Sequence, residues 1–210
     1  LAIQEYLVIV KPVKSYLASI KKLIKFYKNL GEFLKEKNKI SNIPIGDEGG
    51  YAVDFKNNFE PVLILEKLIF QMGLDKEFEL GLDSAASTFY KNRQYNFENK
   101  KFDTDVLVSI YTEYIKNSKL LVSIEDPFSE NDVTGFEKLV GVKRAFIIGD
   151  DLTVTNSTLI EKFSKKKAIT GVIIKPNQIG TILETCRAIR IAEKNNLKII
   201  KVKLPFPWTI

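Results

Sequence analysis

The sequence predicts an α/β fold built on a parallel sheet, and three observations predict it. Four short, mostly apolar runs each stop on a charged residue. Residues 78–82 stop on Asp83, 120–124 on Glu125, 145–149 on Asp150 and 171–174 on Lys175. Runs of that length, bounded by polar residues, read as strands buried on both faces. Segments of helical period separate them, and strands alternating with helices give a parallel sheet, open or closed into a barrel. The carboxyl ends of such strands share one mouth, where α/β proteins do their chemistry. Three carboxylates gathered there repel one another unless a cation sits among them. The pattern therefore implies a bound divalent metal with a lysine beside it.

The elements follow in order. Residues 3–10 are mostly apolar and read as a strand ended by Pro12. Residues 15–36 carry a helical stripe of Tyr16, Leu17, Ile20, Leu23, Ile24, Tyr27, Leu30 and Leu34, with Gly31 as a kink or break. A polar segment and the string Gly46-Asp47-Glu48-Gly49-Gly50 come next; alone, that string reads as a tight turn. Residues 59–72 form a second helix, with Pro61 suited to its first turn. Further helices are expected over 103–117, 132–140, from 155–157, and over 182–194. Thr155, Asn156 and Ser157 are all good N-caps. Residues 199–202 read as one more strand. The strand and two helices at the start do not alternate; the rest does.

Bulk properties narrow the function. The 210 residues are 45% hydrophobic and 28% charged, which suits one domain with a proper core. No apolar run approaches the roughly 20 residues of a membrane helix. The net charge is +6, but the lysines are scattered over helix faces and the aromatics are not interleaved with arginines. That reads as a solvated basic surface, with no nucleic acid as partner. There is no histidine, which excludes Cys/His zinc sites, serine–histidine triads and histidine acid–base catalysis. The single Cys186 forms no internal disulfide and fits a reducing compartment. The first residues lack the basic segment and cleavage site of a signal peptide, and the chain reads as the middle of a longer one.

Six strings, taken together, resemble the enolase family. They are Ile3-Gln4-Glu5-Tyr6, Gly46-Asp47-Glu48-Gly49-Gly50, Asp83-Ser84-Ala85-Ala86-Ser87-Thr88-Phe89-Tyr90, Ser123-Ile124-Glu125-Asp126-Pro127, Gly149-Asp150-Asp151-Leu152-Thr153-Val154-Thr155-Asn156 and Lys175-Pro176-Asn177-Gln178-Ile179-Gly180. They occur in the family's order. The resemblance implies an incomplete enolase-type (β/α)8 TIM-like barrel and a cytoplasmic, glycolytic lyase that dehydrates 2-phosphoglycerate to phosphoenolpyruvate with Mg²⁺. It implies Asp83, Glu125 and Asp150 as magnesium ligands, Lys175 as general base, Glu48 as general acid, and Glu5 as a second glutamate supporting the acid and the departing water. Glu5, Glu48 and Lys175 are the residues expected to meet the substrate. The parent family is homodimeric. Asp126 and Asp151 are read as structural, because adjacent strand residues point to opposite faces. A lysine base needs its pKa lowered, and burial and nearby Mg²⁺ both push that way.

The resemblance also sets expectations about extent. Residues 1–200 are read as a partial barrel domain lacking its first strand and its last strands, and 201–210 as a tail unrelated to the family. The family's smaller lid-bearing domain, its Ser-His-Arg motif and its carboxylate-binding lysine have no counterpart here. The 210 residues alone are therefore expected to show little or no enolase activity. The alternative is a non-catalytic, enolase-like interaction protein. A superfamily branch acting on another carboxylate is disfavoured by the strings at 46–50 and 175–180.

Overall fold

The computed structural model describes residues 1–11, 15–46 and 48–201. The chain opens with β1 (Glu5–Val10) and α1 (Tyr16–Asn38). The Ser15 hydroxyl caps α1 by accepting from the Ala18 N–H, and Lys39 ends it in the left-handed conformation. The helix runs straight through Gly31, so the expected break is absent. Gly31 is buried beneath Tyr51, and a Cβ there would lie 2.5 Å from the Tyr51 Oη. Close packing, not flexibility, explains this glycine. Part of the predicted stripe is exposed, Tyr16 and Leu17 most of all, while Phe26 and Leu34 reach the core. The second helix, α2 (Glu60–Gln71), has Pro61 in its first turn.

Next comes β2 (Phe78–Asp83), a 3₁₀ turn over Ala86–Phe89, and then β3 (Tyr90–Lys91), β4 (Gln94–Phe97) and β5 (Lys100–Phe102). These last three form a small antiparallel sheet where the sequence predicts no strand. Its strands are too short to show a period. Their signature is two turn pairs, Asn92-Arg93 and Glu98-Asn99, all four residues at positive φ. Two such residues in a row make the turn whose twist suits a tight hairpin.

The remaining chain alternates: α3 (Thr104–Asn117), β6 (Leu121–Glu125), α4 (Val133–Val140), β7 (Phe146–Gly149), α5 (Ser157–Lys165), β8 (Gly171–Ile174), α6 (Pro176–Ile179), α7 (Ile182–Lys194) and β9 (Lys198–Lys201). Asp103, Asp132, Asn156 and Thr181 each accept N–H groups at the start of their helix. Of the three cap candidates near 156, the structure uses Asn156. The expected tail falls almost wholly on residues 202–210, outside the described residues.

The main sheet has the order β1-β2-β6-β7-β8-β9. From β2 to β9 every pairing is parallel, as predicted, whereas β1 runs antiparallel to β2. Among the described residues β1 and β9 have a partner on one side only, so the sheet is an open part of a barrel wall. Tyr95, Phe97, Tyr111, Phe128 and Phe136 are buried where the small sheet meets α3 and α4. The Phe128 ring lies edge-on to Tyr111, at 5.8 Å and 90°, a favoured aromatic geometry. It leaves no room for a Cβ on Gly135, which would sit 2.5 Å from the ring. Phe128 follows Glu125-Asp126-Pro127, so this packing pins the segment that leaves β6.

Candidate active site

Strand register brings the first acids together. Glu5 stands opposite Asp83, and Asp83 opposite Glu125. Registered neighbours on adjacent strands project to the same face. Because β1 is antiparallel, its first residue lies at the mouth where β2 and β6 end. That direction is why a glutamate can start an otherwise apolar strand. Asp150 directly follows β7, and Lys175 directly follows β8.

Asp150 is buried with both oxygens engaged. The Lys175 ammonium donates to Oδ2, and Gln178 Nε2 donates to Oδ1 at 2.9 Å. The Thr155 hydroxyl donates to Gln178 Oε1 at 2.8 Å and accepts the Lys175 backbone N–H at 2.9 Å. The ends of β7 and β8 are thus tied by one network. Lys175 keeps 30% of its side chain exposed, so a small molecule can reach it.

Asp126 departs from expectation in its surroundings. Its φ of 38° breaks the strand alternation, a conformation that Asp tolerates better than most residues. One carboxylate oxygen each from Glu125, Asp126 and Asp150 lie within 4.8 Å of one another, a group that could hold a metal ion. The predicted trio had Asp83 in place of Asp126. Asp83 instead accepts the Ala85 N–H at 3.0 Å. Asp126 accepts the N–H groups of Asp150 and Asp151, at 3.1 and 2.7 Å. Its own N–H reaches the Ile148 carbonyl, and its carbonyl takes the Ala86 N–H. One residue therefore joins the segments leaving β2, β6 and β7. The sequence signal for it was the Glu-Asp pair at one strand end facing the Asp-Asp pair at the next.

The charges are strained in the direction a cation would relieve. Burial, then the charges of Asp83, Asp150 and Asp126, push the Glu125 carboxyl up to about 9. Burial first, then Glu5 and Asp150, push Asp83 up to about 6, against the pull of the Ala85 N–H. Burial also holds Asp126 up, at about 7, against the two amides it accepts. Burial draws the Lys175 ammonium down, as predicted, but its bond to Asp150 and the charges of Asp150, Glu125 and Asp83 outweigh this, and its net direction is up. The expected lowering is therefore absent while the carboxylates face the lysine alone. All the donors are hard carboxylate oxygens, partly desolvated and mutually repelling. The set fits a hard divalent cation.

Glu48 lies on the other side, on an exposed glycine turn. The Gly46 N–H donates to Gly50 O at 2.8 Å, and the Gly49 N–H to Gly46 O at 2.9 Å. Gly49 has φ +84°, a backbone conformation that disfavours any side chain. Glu48 and Glu5 line one cavity of about 970 Å³ with Gly46, Gly50 and Tyr51. The Glu5 carboxyl is raised by burial and then by the charge of Glu48, while Lys175 pulls it down. The structure thus brings Glu5 and Glu48 together within reach of the field of Lys175. Asp47 lies outside the described residues.

A parallel sheet whose strand ends gather buried carboxylates and one lysine defines a barrel-type α/β domain with a metal-competent mouth. The chain belongs to the enolase family: the family described as "Enolase, C-terminal TIM barrel domain" matches residues 1–202. Among similar proteins, the enolase of Ehrlichia ruminantium (strain Gardel) is 41% identical over 201 residues, covering 93% of this chain and 47% of that protein. The enolase of Campylobacter jejuni (serotype O:2) is 34% identical over 199 residues, covering 94% and 47%. That of Aeropyrum pernix is 34% identical over 200 residues, covering 92% and 46%. The chain spans about half the length of the curated relatives it matches. No helix among the described residues is long and apolar enough to cross a membrane.

Proposed function

We propose that this domain carries the base, the acid and the metal ligands of a phosphopyruvate hydratase, which converts 2-phosphoglycerate to phosphoenolpyruvate and water. The single observation that carries this reading is Lys175 seated on Asp150, with Asp83 and Glu125 in register at neighbouring strand ends, and Glu5, the register partner of Asp83, sharing a cavity with Glu48. Asp83, Glu125 and Asp150 would hold Mg²⁺. When bound, the ion supplies positive charge against the negative charge that develops on the substrate carboxylate, the pairing of Mg²⁺ with a lysine base described for enolase-superfamily sites. Gln178 and Asp126 orient Asp150 from opposite sides, by side chain and by backbone. With the carboxylates that hold its proton neutralised by bound Mg²⁺, Lys175 would lose that proton to water, and its neutral Nζ would take the proton from C2. Glu48 gives a proton to the C3 hydroxyl, which leaves as water. Glu5 lies beside Glu48 and supports that transfer. A proton-transfer group placed in this way is worth roughly 10²–10⁴ in rate.

The site is proposed to work in the cytoplasmic glycolytic pathway, within a homodimer of the kind the family forms. Among the described residues the sheet has no further partner along β1 and β9, and an open mouth leaves reactants poorly aligned. Phosphoenolpyruvate formation, followed by its ultraviolet absorbance, is expected to run far below ordinary enzyme rates; turnover near such rates overturns that part. Calorimetry is expected to find one Mg²⁺ site, lost in Asp150→Ala. If no Mg²⁺ binds and a macromolecular partner does, a non-catalytic interaction role replaces this one.

A further inference from the structure

We infer that Tyr27 and Tyr51, seated on Gly31, form a latch that positions the glycine loop and thereby aims Glu48 at Glu5. The inference rests on the reading of Glu48 as the acid. The loop has little packing of its own: a Cβ on Gly49 or Gly50 would meet nothing within 4 Å. Its base is closed by the Ile45–Tyr51 bridge and by the Ala52 N–H on Pro44 O at 2.9 Å. Its tip is held from α1, where the Tyr27 hydroxyl donates to Gly49 O at 2.7 Å. The two rings stack at 4.3 Å and 14°. The Tyr51 hydroxyl donates to the Tyr27 carbonyl at 3.2 Å. Tyr51 can lie this flat on the helix only because residue 31 has no side chain, since a Cβ would come within 2.5 Å of its Oη and 2.9 Å of its Cζ. The 23-residue helix α1 is thus a stiff arm, and the two hydroxyls and the stack fix both ends of the loop to it. Tyr27 and Tyr51 are positioning residues, because they act through Glu48.

Hydrogen–deuterium exchange on the 210-residue chain tests the latch. Tyr51→Leu is expected to speed exchange in residues 46–50 by about 5- to 10-fold, the fold-change one aromatic stack is worth, and Tyr27→Phe, which keeps the stack but loses the hydrogen bond to Gly49 O, by about 2- to 10-fold. β2 and β6 should stay as protected as in the parent chain. Tyr51→Phe keeps the stack and should restore most of the protection; Gly31→Ala should lose it. Equal protection of the loop in Tyr51→Leu and parent overturns the latch, and so does a loss spread evenly through β2 and β6. With Mg²⁺ and 2-phosphoglycerate deuterated at C2, Tyr51→Leu should slow phosphoenolpyruvate formation more than loss of the deuterium, whereas a parallel fall in both overturns the aiming of Glu48. Glu48→Gln leaves the latch contacts intact, so a change in its dehydration rate with unchanged loop exchange reports on the acid, not on the latch.

Discussion

Strand β8 buries every residue, and β6 and β7 nearly so, whereas all six residues of β1 are half-exposed. The two sides of the mouth inherit that difference. Asp83, Glu125, Asp150 and Lys175 hang from the ends of core strands and are cross-tied by Asp126, Gln178 and Thr155. Glu5 and Glu48 come from a strand at the sheet's edge and from a glycine turn held by two tyrosines. The metal-and-base side is therefore set by the same burial that stabilises the fold. The acid side depends on a few local contacts and can be loosened without unfolding anything.

Four experiments probe that division, the largest effect first. Lys175→Ala should abolish the residual C2 deuterium loss and phosphoenolpyruvate formation of the parent chain, while Glu48→Gln should lower dehydration and spare the isotope loss. Equal losses in both variants would mean the sides are not separable. Second, Asp150→Ala should abolish the Mg²⁺ site seen by calorimetry, and Glu5→Gln should change it little. Third, Asp126→Asn replaces one amide-accepting oxygen with a donor. It should weaken Mg²⁺ by about tenfold, as loss of a supporting group typically does; unchanged affinity would make Asp126 a packing residue only.

The smallest effect is on stability against pH. The folded-state pKa values of Glu125, about 9, and Asp83, about 6, lie above their ordinary 4.5 and 3.8. Between those limits the folded chain holds more protons than the unfolded one, so stability falls as pH rises. Without metal, Tm should decline steadily from pH 5 to pH 8, chiefly through Glu125 and, up to about pH 6, through Asp83. Mg²⁺ favours the ionised carboxylates, so the Tm gain on adding it should be larger at pH 8 than at pH 5. An equal gain at both would separate the cation from these carboxylates.

Much of this was legible in the residues. The four runs ending on Asp83, Glu125, Asp150 and Lys175 are strands β2, β6, β7 and β8, parallel as expected. Asn156 was among the cap candidates, and Pro61 does open a helix. The small sheet at 90–102 was missed because two- to four-residue strands have no readable period, although Asn92-Arg93 and Glu98-Asn99 are where its turns sit. Gly31 was misread because a glycine inside a helical stripe looks the same whether it bends the chain or receives a ring. Asp126 was read as structural from strand alternation; it does tie three strand ends together, but at a positive φ that the alternation argument did not foresee.

By itself the sequence determined the strand-ending charges, the βα alternation and the strings that mark the family. These depend on neighbours a few residues apart, where period, caps and short motifs are written. Only the tertiary structure decided that β1 runs antiparallel and so carries Glu5 to the mouth, that Asp126 turns back to join three strand ends, that Tyr51 lies on Gly31, and that the carboxylates hold Lys175 charged. Each of these depends on contacts between segments distant along the chain, such as Glu5 with Asp83 or Asp150 with Lys175. Packing and the sum of nearby charges set those contacts, and neither is written in any local stretch of residues.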